Sequence, residues 1–408
     1  LQKAHLEKAE AFIVGQPEYL EAANDIIADT GLDTWKRYLK VKILTAAAPY
    51  MHSELAQARF DFYGTTVRGT KEMEPRWKRA VQFVNGSVGE LVGQRYVEKY
   101  FPPEAKARMV ELVDNLKAAY KESIESLTWM SEDTKKEALT KLANFTTKIG
   151  YPDSWRDYSG LTVRDDDLVG NALAATLFDT LHERDKLGKP LDRSEWGMTP
   201  QTVNAYYNPP MNEIVFPAAI LQPPFFNMNA EDAVNYGGIG GVIGHEIGHG
   251  FDDKGSKFDG KGYLNNWWTD SDRDNFEQLT GKLVAQYNGF EPLEDEHVNG
   301  ELTLGENIGD LSGLGIAHKA YKMSLNGEEA PVIDGFTGDQ RVFMGWAQVW
   351  RSKIRDEALS ERLKTDPHSP AEYRVQGVVP NINAFYEAFD VKEGDGMYLP
   401  EEERVVIW

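Results

Sequence analysis

The spacing of two histidines constrains this chain more than any other feature of its sequence. His245 and His249 stand four residues apart in the segment GHEIGH. On a helix, residues at this spacing project from one face, so the two imidazoles can hold a single metal ion. Glu246 follows the first histidine and can accept a proton from water on that ion. The segment therefore predicts a helix that carries the site of a zinc hydrolase, with one Zn²⁺ ion as cofactor.

The composition of the chain narrows its class and its partners. With 408 residues, of which 41% are hydrophobic, it is long enough for two or more globular domains. The formal net charge of −21 argues against nucleic acid or an anionic membrane as a partner, because both attract clustered Lys and Arg. Since the chain has no Cys, a metal must be bound by His and carboxylate groups. No apolar run approaches the ~20 residues of a membrane-spanning helix, so no membrane span is predicted.

Helical periodicity runs through the first part of the chain. Trp35, Leu39 and Ile43 form one apolar stripe, and a longer stripe extends over residues 109–127. Ser131 is placed to cap the helix that follows. We expect these apolar faces to pack against other helices, which is the ordinary role of such stripes.

The helical pattern ends at a break over residues 150–153, with the sequence GYPD. A polar, Asp-rich stretch follows at residues 165–167 and is suited to a passage between domains. We therefore predict a helical domain over residues 1–150 and a second domain, which carries the zinc site, over residues 151–408.

Alternation replaces the helical period from Val203 onwards. Val203, Ala205 and Tyr207 stand at every second position, as on one face of a strand. The turn sequence NPP at 208–210 follows, and then the apolar run at 214–216. This predicts two strands joined by a turn. Asn204 would lie on the first strand, where an exposed edge can pair with an extended peptide. An Asn that faces water is the alternative, and the spacing alone favours neither.

The third ligand of the zinc ion must come from elsewhere, because a catalytic zinc site takes three protein ligands. A third histidine at the metzincin spacing is excluded, since that position holds Gly255. Glu306 and Asp310 stand four apart at the start of another helical pattern and share a face. One can bind zinc while the other accepts the free ring N–H of a ligand histidine. We predict Glu306 as the ligand.

Many separate motifs, in the same order, resemble the neprilysin and endothelin-converting-enzyme family of zinc peptidases. They are YGTT at 63–66, IGYPD at 149–153, VNAYY at 203–207, IVFP at 214–217, the histidine segment, ENIGD at 306–310, AQVW at 347–350, HSP at 368–370 and the final Trp408. The resemblance implies a mainly α fold with a small β-sheet (α+β). It comprises a thermolysin-like peptidase domain and a helical lid domain that faces it across an enclosed cavity, which limits substrates to peptides of modest size.

The resemblance also assigns residues. It gives His245, His249 and Glu306 as zinc ligands, Glu246 as general base, and Asp310 and Asp252 as partners of the ligand imidazoles. The positions that correspond to substrate-binding residues are Asn204 and Ala205 for the peptide backbone, His368 and Arg374 for the region of the scissile carbonyl, and Ile220, Phe225, Val242, Val349 and Trp350 for the apolar pocket beyond the cut bond. A donor aimed at a developing oxyanion and an Arg fork on a carbonyl fit this chemistry independently. Each pocket residue could equally belong to the core.

The resemblance has consequences for the remainder of the protein. Arg351 and Val405 stand where animal members carry Cys, which indicates a bacterial-type member. Members of the family extend further upstream, so we expect an N-terminal segment or chain of the same protein to complete the helical domain. The family favours an extracytoplasmic location, periplasmic or secreted, and a cytoplasmic location stays open.

The predicted function is that of a zinc endopeptidase that cleaves on the amino side of large apolar residues, with Glu246 as the proton acceptor. A fragment that binds zinc and peptide without catalysis, as part of a larger peptidase, is the alternative from another class. A zinc hydrolase that acts on non-peptide amides is a further alternative, against which the apolar pocket and the peptide-pairing strand argue.

Overall fold

Helices predominate in the computed structural model, which describes residues 11–408. In that part of the chain the helices are α1 (Pro17–Asp29), α2 (Leu32–Ala47), α3 (Ser53–Phe60), α4 (Arg76–Tyr100), α5 (Pro103–Ser126), α6 (Glu132–Ala143), α7 (Leu168–Asp185), α8 (Asp232–Asn235), α9 (Gly241–Gly248), α10 (Asp270–Asn288), α11 (Leu304–Ser324), α12 (Gly338–Val349), α13 (Asp356–Thr365), α14 (Tyr373–Gln376) and α15 (Asn383–Phe389). The strands β1 (Thr146–Gly150), β2 (Tyr206–Asn208) and β3 (Glu213–Pro217) form one small sheet. The predicted class, mainly α with a small β-sheet, is confirmed.

The chain divides into two compact units. One contains the described residues up to Glu90 together with Ser154–Glu195, and the other contains Leu91–Asp153 and Trp196–Trp408. The predicted boundary after residue 150 lies close to one of these divisions, but α5 and α6 belong to the second unit and α7 to the first. Residues 1–10 of the predicted helical domain lie outside the described residues.

The sheet has the strand order β1-β3-β2. β3 pairs with β1 in parallel and with β2 in antiparallel orientation, and β2 is therefore an edge strand. The predicted pair of strands joined by a turn is confirmed, although β2 begins at Tyr206 and Asn204 precedes it. β1 corrects the expectation that residues up to 150 are helical, because the short TTKIG segment pairs with a distant strand. Such pairing overrides local periodicity in so short a segment.

Helix α5 forms the centre of the second unit's core. Proline occupies its first turn, where a missing N–H costs nothing. Its predicted apolar stripe is buried, and the residues fully or almost fully withdrawn from solvent are Met109, Leu112, Val113, Leu116, Ala119, Tyr120 and Ile124. Each of the larger side chains contributes roughly 1.5–3 kcal/mol by its burial. The Tyr120 hydroxyl donates to the Gly244 carbonyl at 2.7 Å, which joins α5 directly to α9.

One carboxylate joins the starts of two helices. Ser131 caps α6 as predicted, and Thr269 caps α10. The side chain of Asp272, in the first turn of α10, accepts hydrogen bonds from the hydroxyls of Ser131, Thr134 and Thr269. It also accepts one from the backbone N–H of Ser131 at 2.8 Å. The two helices therefore share a single buried anchor.

The first apolar stripe behaves differently from the prediction. Trp35, Leu39 and Ile43 lie on α2, as their spacing indicates, but neither α1 nor α2 buries a residue among the described part of the chain. Leu39 is 53% and Ile43 66% exposed. The expected packing of this stripe against other helices is wrong for Leu39 and Ile43, whereas Trp35 is half-buried. No helix in that part of the chain is both long and apolar enough to cross a membrane.

Glycines allow α9 and α11 to approach closely. A Cβ on Gly244 would lie 2.6 Å from the Gly313 carbonyl oxygen, and one on Gly313 would lie 2.6 Å from the backbone nitrogen of His245. Both distances are too short for any other residue type without separation of the helices. This contact brings the N-terminal half of α11 against the histidine-bearing helix.

Candidate metal centre

The two histidines project from a buried helix, as their spacing predicts. α8, a π-helical turn at Tyr236–Gly240 and α9 follow one another without interruption. His245 is in α9 and His249 terminates it, and their ring centroids are 4.4 Å apart at an angle of 82°. The two rings are therefore close enough for one nitrogen of each to bind the same ion.

Glu306, in the first turn of α11, supplies the third donor atom. Its Oε2 lies 3.1 Å from Nε2 of His245 and 3.6 Å from Nε2 of His249. One ligand atom from each of the three residues lies within 4.8 Å of the others, and residues 11–408 contain no second group of this kind. The sequence prediction that a distant carboxylate joins the histidine pair agrees with this geometry.

Each ligand imidazole is held by a second carboxylate through its other nitrogen. His245 Nδ1 lies 2.8 Å from Asp310, and His249 Nδ1 lies 2.8 Å from Asp252. An ionised carboxylate at this distance fixes the proton on Nδ1 and leaves the Nε2 lone pair for the position that an ion shared with Glu306 would take. Both predicted partners of the histidines are therefore in contact with them.

The two carboxylates are stabilised in different ways. Asp310 is completely buried and receives two hydrogen bonds of 2.6 Å from Arg374. Although burial favours the neutral acid, Arg374 and His245 hold the pKa of Asp310 below its ordinary value. Asp252 instead accepts the backbone N–H groups of Lys254 and Gly255 at 2.8 and 2.7 Å. Both arrangements supply the donors that a carboxylate acceptor needs.

The donor set fits zinc. A tetrahedral ion with bonds of 2.0–2.1 Å separates its donors by roughly 3.3 Å, which is close to the distances from Glu306 to the two histidines. Among the described residues, the buried Oε2 of Glu306 has no hydrogen-bond partner. When both imidazoles are neutral and carry their proton on Nδ1, their Nε2 lone pairs face this anionic oxygen and repel it. A shared cation removes that repulsion. Burial lowers the pKa of His249, but the carboxylates of Asp252 and Glu306 outweigh this effect and raise that pKa well above its ordinary value. The site therefore attracts positive charge, either a proton on the ring or the shared cation that replaces it.

Glu246 lies beside the ligand cluster and has unusual surroundings. Its side chain is 5% exposed, and among the described contacts its Oε2 has no hydrogen-bond partner. Burial raises the pKa of Glu246, although the imidazoles of His245 and His249 oppose this shift. A raised pKa suits a carboxylate that takes up a proton. Its role as general base stays a prediction.

His368 approaches the same point from a loop before α14. Its Nε2 lies 3.2 Å from Glu306 Oε2, while its Nδ1 and its backbone N–H both lie 2.9 Å from Oδ1 of Asp366. Asp366 therefore fixes the orientation of the ring and was not predicted from the sequence. The hydroxyl of Ser369 donates to Asn307 at 2.7 Å, which ties this loop to α11.

A cleft of about 390 Å³ opens over these groups. The predicted residues that line it are Asn204, Ala205, Ile220, Phe225, Val242, His245, Glu246, His249, Glu306, Trp350, His368 and Arg374. Trp350 stacks on Arg374, with the guanidinium carbon 3.7 Å from the ring centroid. Asp252 and Asp310 lie behind the histidines and do not line the cleft. The structure thus brings nearly every predicted site residue to one place.

The observed pocket differs from the predicted one by one missing residue and several additional ones. Val349 is not among the residues that line the cleft and instead packs, half-buried, against the core. Trp346, which was not predicted from the sequence, lines it and donates from its indole nitrogen to the Arg374 carbonyl at 2.8 Å. The signal was present, because Trp346 and Trp350 stand four apart and share a helix face. Val203, Tyr206 and Tyr207 also line the cleft.

A buried helix with two histidines, joined by a carboxylate from a second helix, is the site architecture of the gluzincin class of zinc peptidases. Two family models described as peptidase family M13 match this chain, one over residues 1–152 and one over residues 204–405. The chain belongs to peptidase family M13. The predicted resemblance is confirmed.

Individual relatives agree with this assignment. The chain is 37% identical to a neutral endopeptidase of Lactobacillus helveticus, over 98% of this chain and 60% of the relative. It is 36% identical to human endothelin-converting enzyme 1, over 98% of this chain and 53% of the relative. The crystal structure of the Mycobacterium tuberculosis zinc metalloprotease ZMP1 in complex with an inhibitor superimposes with a TM-score of 0.95 at 52% identity, over 97% of this chain and 61% of that chain. The chain thus spans little more than half the length of these relatives.

Proposed function

We propose that this chain carries the catalytic centre of a zinc endopeptidase that cleaves peptides of modest size on the amino side of large apolar residues. The observation that carries the proposal is the position of Glu246, a buried carboxylate whose Oε2 has no hydrogen-bond partner among the described residues, beside three converging ligand atoms. A group with no structural partner in such a place is suited to proton transfer.

The three ligand side chains can bind one metal ion. Zinc held by His245, His249 and Glu306 would polarise a substrate carbonyl and make water more acidic. The carboxylates of Asp310 and Asp252 keep both imidazoles in the tautomer that offers Nε2 as a ligand. Family membership supports zinc, since the chain resembles named zinc metalloproteases.

Three side chains of the cleft can act directly on the peptide bond. Glu246 accepts a proton from water while the water oxygen bonds to the carbonyl carbon. It then delivers that proton to the amine nitrogen as the C–N bond breaks. His368 Nε2 is close enough to the ligand cluster to donate to the developing oxyanion when the ring carries protons on both nitrogens, because Asp366 holds the proton on Nδ1. Arg374, which is bound by Asp310 and stacked on Trp350, lines the same cleft and can donate to a substrate carbonyl there.

Two features of the cleft are suited to bind a peptide: the segment before the edge strand β2 and a group of apolar side chains. Asn204 and Ala205 lie on the cleft just before the edge strand β2, where an extended peptide can add main-chain hydrogen bonds. Ile220, Phe225, Val242 and Trp350 form an apolar region next to the ligands. A large apolar side chain placed there leaves water, which favours substrates that carry one.

The experiment that tests the function is the substitution Glu246→Gln. We expect it to retain stoichiometric zinc but to lower kcat for a short fluorogenic peptide by on the order of 10²–10⁴-fold, the contribution typical of a general base. The exposed Glu372 near Arg374 gives a matched control, and Glu372→Gln should retain the parent rate. Hydrolysis by the Glu246→Gln variant at the parent rate would refute the proposed role.

A second candidate function is zinc-dependent peptide binding without catalysis. It is favoured by the short span of the chain relative to its relatives, because a part of a larger peptidase need not be active alone. The two functions differ in one assay. Binding of a labelled peptide that requires zinc, without any cleavage product detected by mass spectrometry, indicates the second function, whereas chelator-sensitive cleavage indicates the first.

We further propose that another segment or chain of the same protein covers the apolar face of α1 and α2. Leu20, Ile27, Leu39 and Ile43 on these helices are each more than half exposed. The relatives are longer than this chain and have additional residues that can supply such a cover. The intact mass of an active preparation tests this proposal. A preparation that is active and contains this chain alone, with α1 and α2 still solvent-accessible, would contradict it.

A further inference from the structure

A buried lysine lies next to the metal centre without belonging to it. Lys141, on α6, is 1% exposed, and its ammonium group donates to the carbonyl oxygens of Gly255 and Phe258, both at 2.7 Å. The aromatic rings of Tyr207, Phe251 and Trp267 surround the same group at 5.7–5.9 Å. Withdrawal of an ammonium group from water is costly unless its donors are satisfied. The two carbonyl contacts therefore fix the position of residues 255–258, which belong to the loop between α9 and α10.

The loop that Lys141 holds is the one that positions a ligand histidine. Gly255 offers its carbonyl to Lys141 and its backbone N–H to Asp252 at 2.7 Å. Asp252 in turn holds Nδ1 of His249 at 2.8 Å. A continuous series of hydrogen bonds therefore runs from α6, through the loop, to the metal-facing imidazole. The loop is packed so tightly that a Cβ on Gly255 would lie 1.8 Å from the carbonyl oxygen of His249.

The backbone of Lys141 is tied to the cleft by a second route. Asn212 donates from its side-chain amide to the Lys141 carbonyl at 3.1 Å and to the Gly260 carbonyl at 3.3 Å. The Tyr207 hydroxyl donates to the Asn212 side chain at 3.0 Å, and Tyr207 lines the cleft. The C-terminal half of α6, the loop after the metal helix and the edge strand thus converge on one residue.

The contacts of Lys141 do not depend on its charge state. Burial lowers the pKa of Lys141 to about 7, with Asp252 and Asp259 opposing the shift. Either the ammonium or the neutral amine has enough N–H groups for two carbonyls. The charged form adds attraction to Asp252, and both forms anchor the loop.

We propose that Lys141 is a positioning residue for the metal centre, which acts on His249 through the loop and Asp252. This inference rests on the proposed zinc site. It assigns a role at that site to a residue more than a hundred positions upstream of the histidines, in the part of the chain matched by the other family model. Partners behind a metal ligand typically change metal affinity by about 10–100-fold when they are lost.

The test compares two buried lysines of the same helix. Lys135 is also on α6 and is 9% exposed, but its ammonium group contacts the carbonyl of Glu125 and the side chain of Glu132. Lys141→Met should weaken zinc binding by about 10–100-fold in a chelator competition, and should alter the visible spectrum of the Co²⁺-substituted protein. Lys135→Met should leave zinc affinity within about two-fold of the parent and the Co²⁺ spectrum unchanged, because Lys135 has no contact with the partners of His249.

Several outcomes decide the inference. Parent zinc affinity and an unchanged Co²⁺ spectrum in Lys141→Met would overturn it and leave Lys141 with a purely structural role. If Lys141→Met is not recovered folded, Lys141→Leu, which has a smaller side chain and also lacks a donor, is measured instead. A zinc affinity weaker than that of the parent supports the inference, and an equal affinity overturns it. Failure of the parent chain to bind zinc at all would instead overturn the proposed metal centre.

Discussion

At the scale of single residues, the metal centre is organised by the groups that hold its imidazoles. Asp310 is bound by a guanidinium, whereas Asp252 is bound by backbone N–H groups of its own turn. Asp310 is therefore paired with a charged group, whereas Asp252 is paired with neutral ones. Loss of charge at Asp310 leaves the buried Arg374 without its counter-ion, whereas the backbone partners of Asp252 are neutral.

Asp310→Asn tests this difference. We expect zinc affinity to fall by about 10–100-fold, because the Nδ1 partner of His245 loses its charge. We also expect the free energy of unfolding to fall by roughly 3–5 kcal/mol, the typical cost of breaking a buried ion pair. Chelator competition and urea unfolding measure the two effects.

A control for this variant is available outside the cleft. Asp339 holds Nε2 of His318 at 2.8 Å, an equivalent carboxylate–imidazole contact between α12 and the C-terminal part of α11. Asp339→Asn should leave zinc affinity at the parent value. Equal zinc affinity in Asp310→Asn and the parent would show that Asp310 does not support the ligand.

At the scale of secondary-structure elements, the site depends on how closely α9 and α11 approach. Glu306 and Asp310 reach His245 only because Gly244 and Gly313 allow backbone contact between the helices. Gly309 contributes as well, since a Cβ there would lie 2.7 Å from Nδ1 of His245. The glycines that weaken helix propensity in this region are thus required by the metal centre.

A pair of glycine substitutions on α11 separates packing from propensity. Gly313→Ala places a methyl group 2.6 Å from the His245 nitrogen, so the helices must separate, at a cost of roughly 1–3 kcal/mol or more. Gly315, two residues further on, has no neighbouring atom within 4 Å of the position that a Cβ would take. Gly315→Ala should therefore stabilise the protein by about 0.4–1 kcal/mol. Urea unfolding of both variants is the measurement, and equal effects of the two would contradict the close-contact argument.

The shared cap between α6 and α10 gives a prediction about pH. Burial favours the neutral acid, but the hydrogen bonds from Ser131, Thr134 and Thr269 outweigh it and hold the pKa of Asp272 below its ordinary value. A group with a lowered pKa stabilises the fold above the ordinary Asp value of about 4, and this contribution is lost as the pH falls through the folded-state pKa. The stability difference between the parent and Asp272→Asn should therefore be largest near neutral pH and shrink towards pH 3.

The comparison for this effect lies on the same helix. Asp274 is not buried, and Asp274→Asn should change stability by less than about 0.5 kcal/mol, as is usual for surface substitutions. Denaturant unfolding at pH 7, 5 and 3 measures both variants. A difference for Asp272→Asn that is constant over this range would show that ionisation of the carboxyl is not what joins the two helices.

The sequence predicted those elements whose own residues determine them. The stripe on α5, the cap at Ser131 and the histidine pair depend on spacing within a single helix, so they could be read directly. β1 could not, because its five residues become a strand only through pairing with β3. Asp366 and Lys141 were missed for a similar reason, since their roles come from contacts that only the tertiary structure creates.

At the scale of the whole molecule, burial is distributed unequally between the two units. The fully buried apolar residues lie almost entirely in the second unit, on α5, α9, α11 and the segments around them. α1 and α2 in the first unit bury none of their described residues. Because apolar burial is the main source of stability, the cost of local opening should differ strongly between these regions.

Amide hydrogen exchange of the chain alone tests this unequal distribution. Helices of 13 and 16 residues that bury none of their residues gain little from packing and are only marginally stable, so amides of α1 and α2 should exchange within about a minute at neutral pH. Amides of α5 and α11 should be protected for hours or longer, up to the limit set by global unfolding. If α2 proved as slow as α5, its apolar face would have to be covered in solution. A dilution series would then distinguish the possibilities, because a cover supplied by a second copy of the chain is lost at low concentration, whereas one supplied within the chain is not.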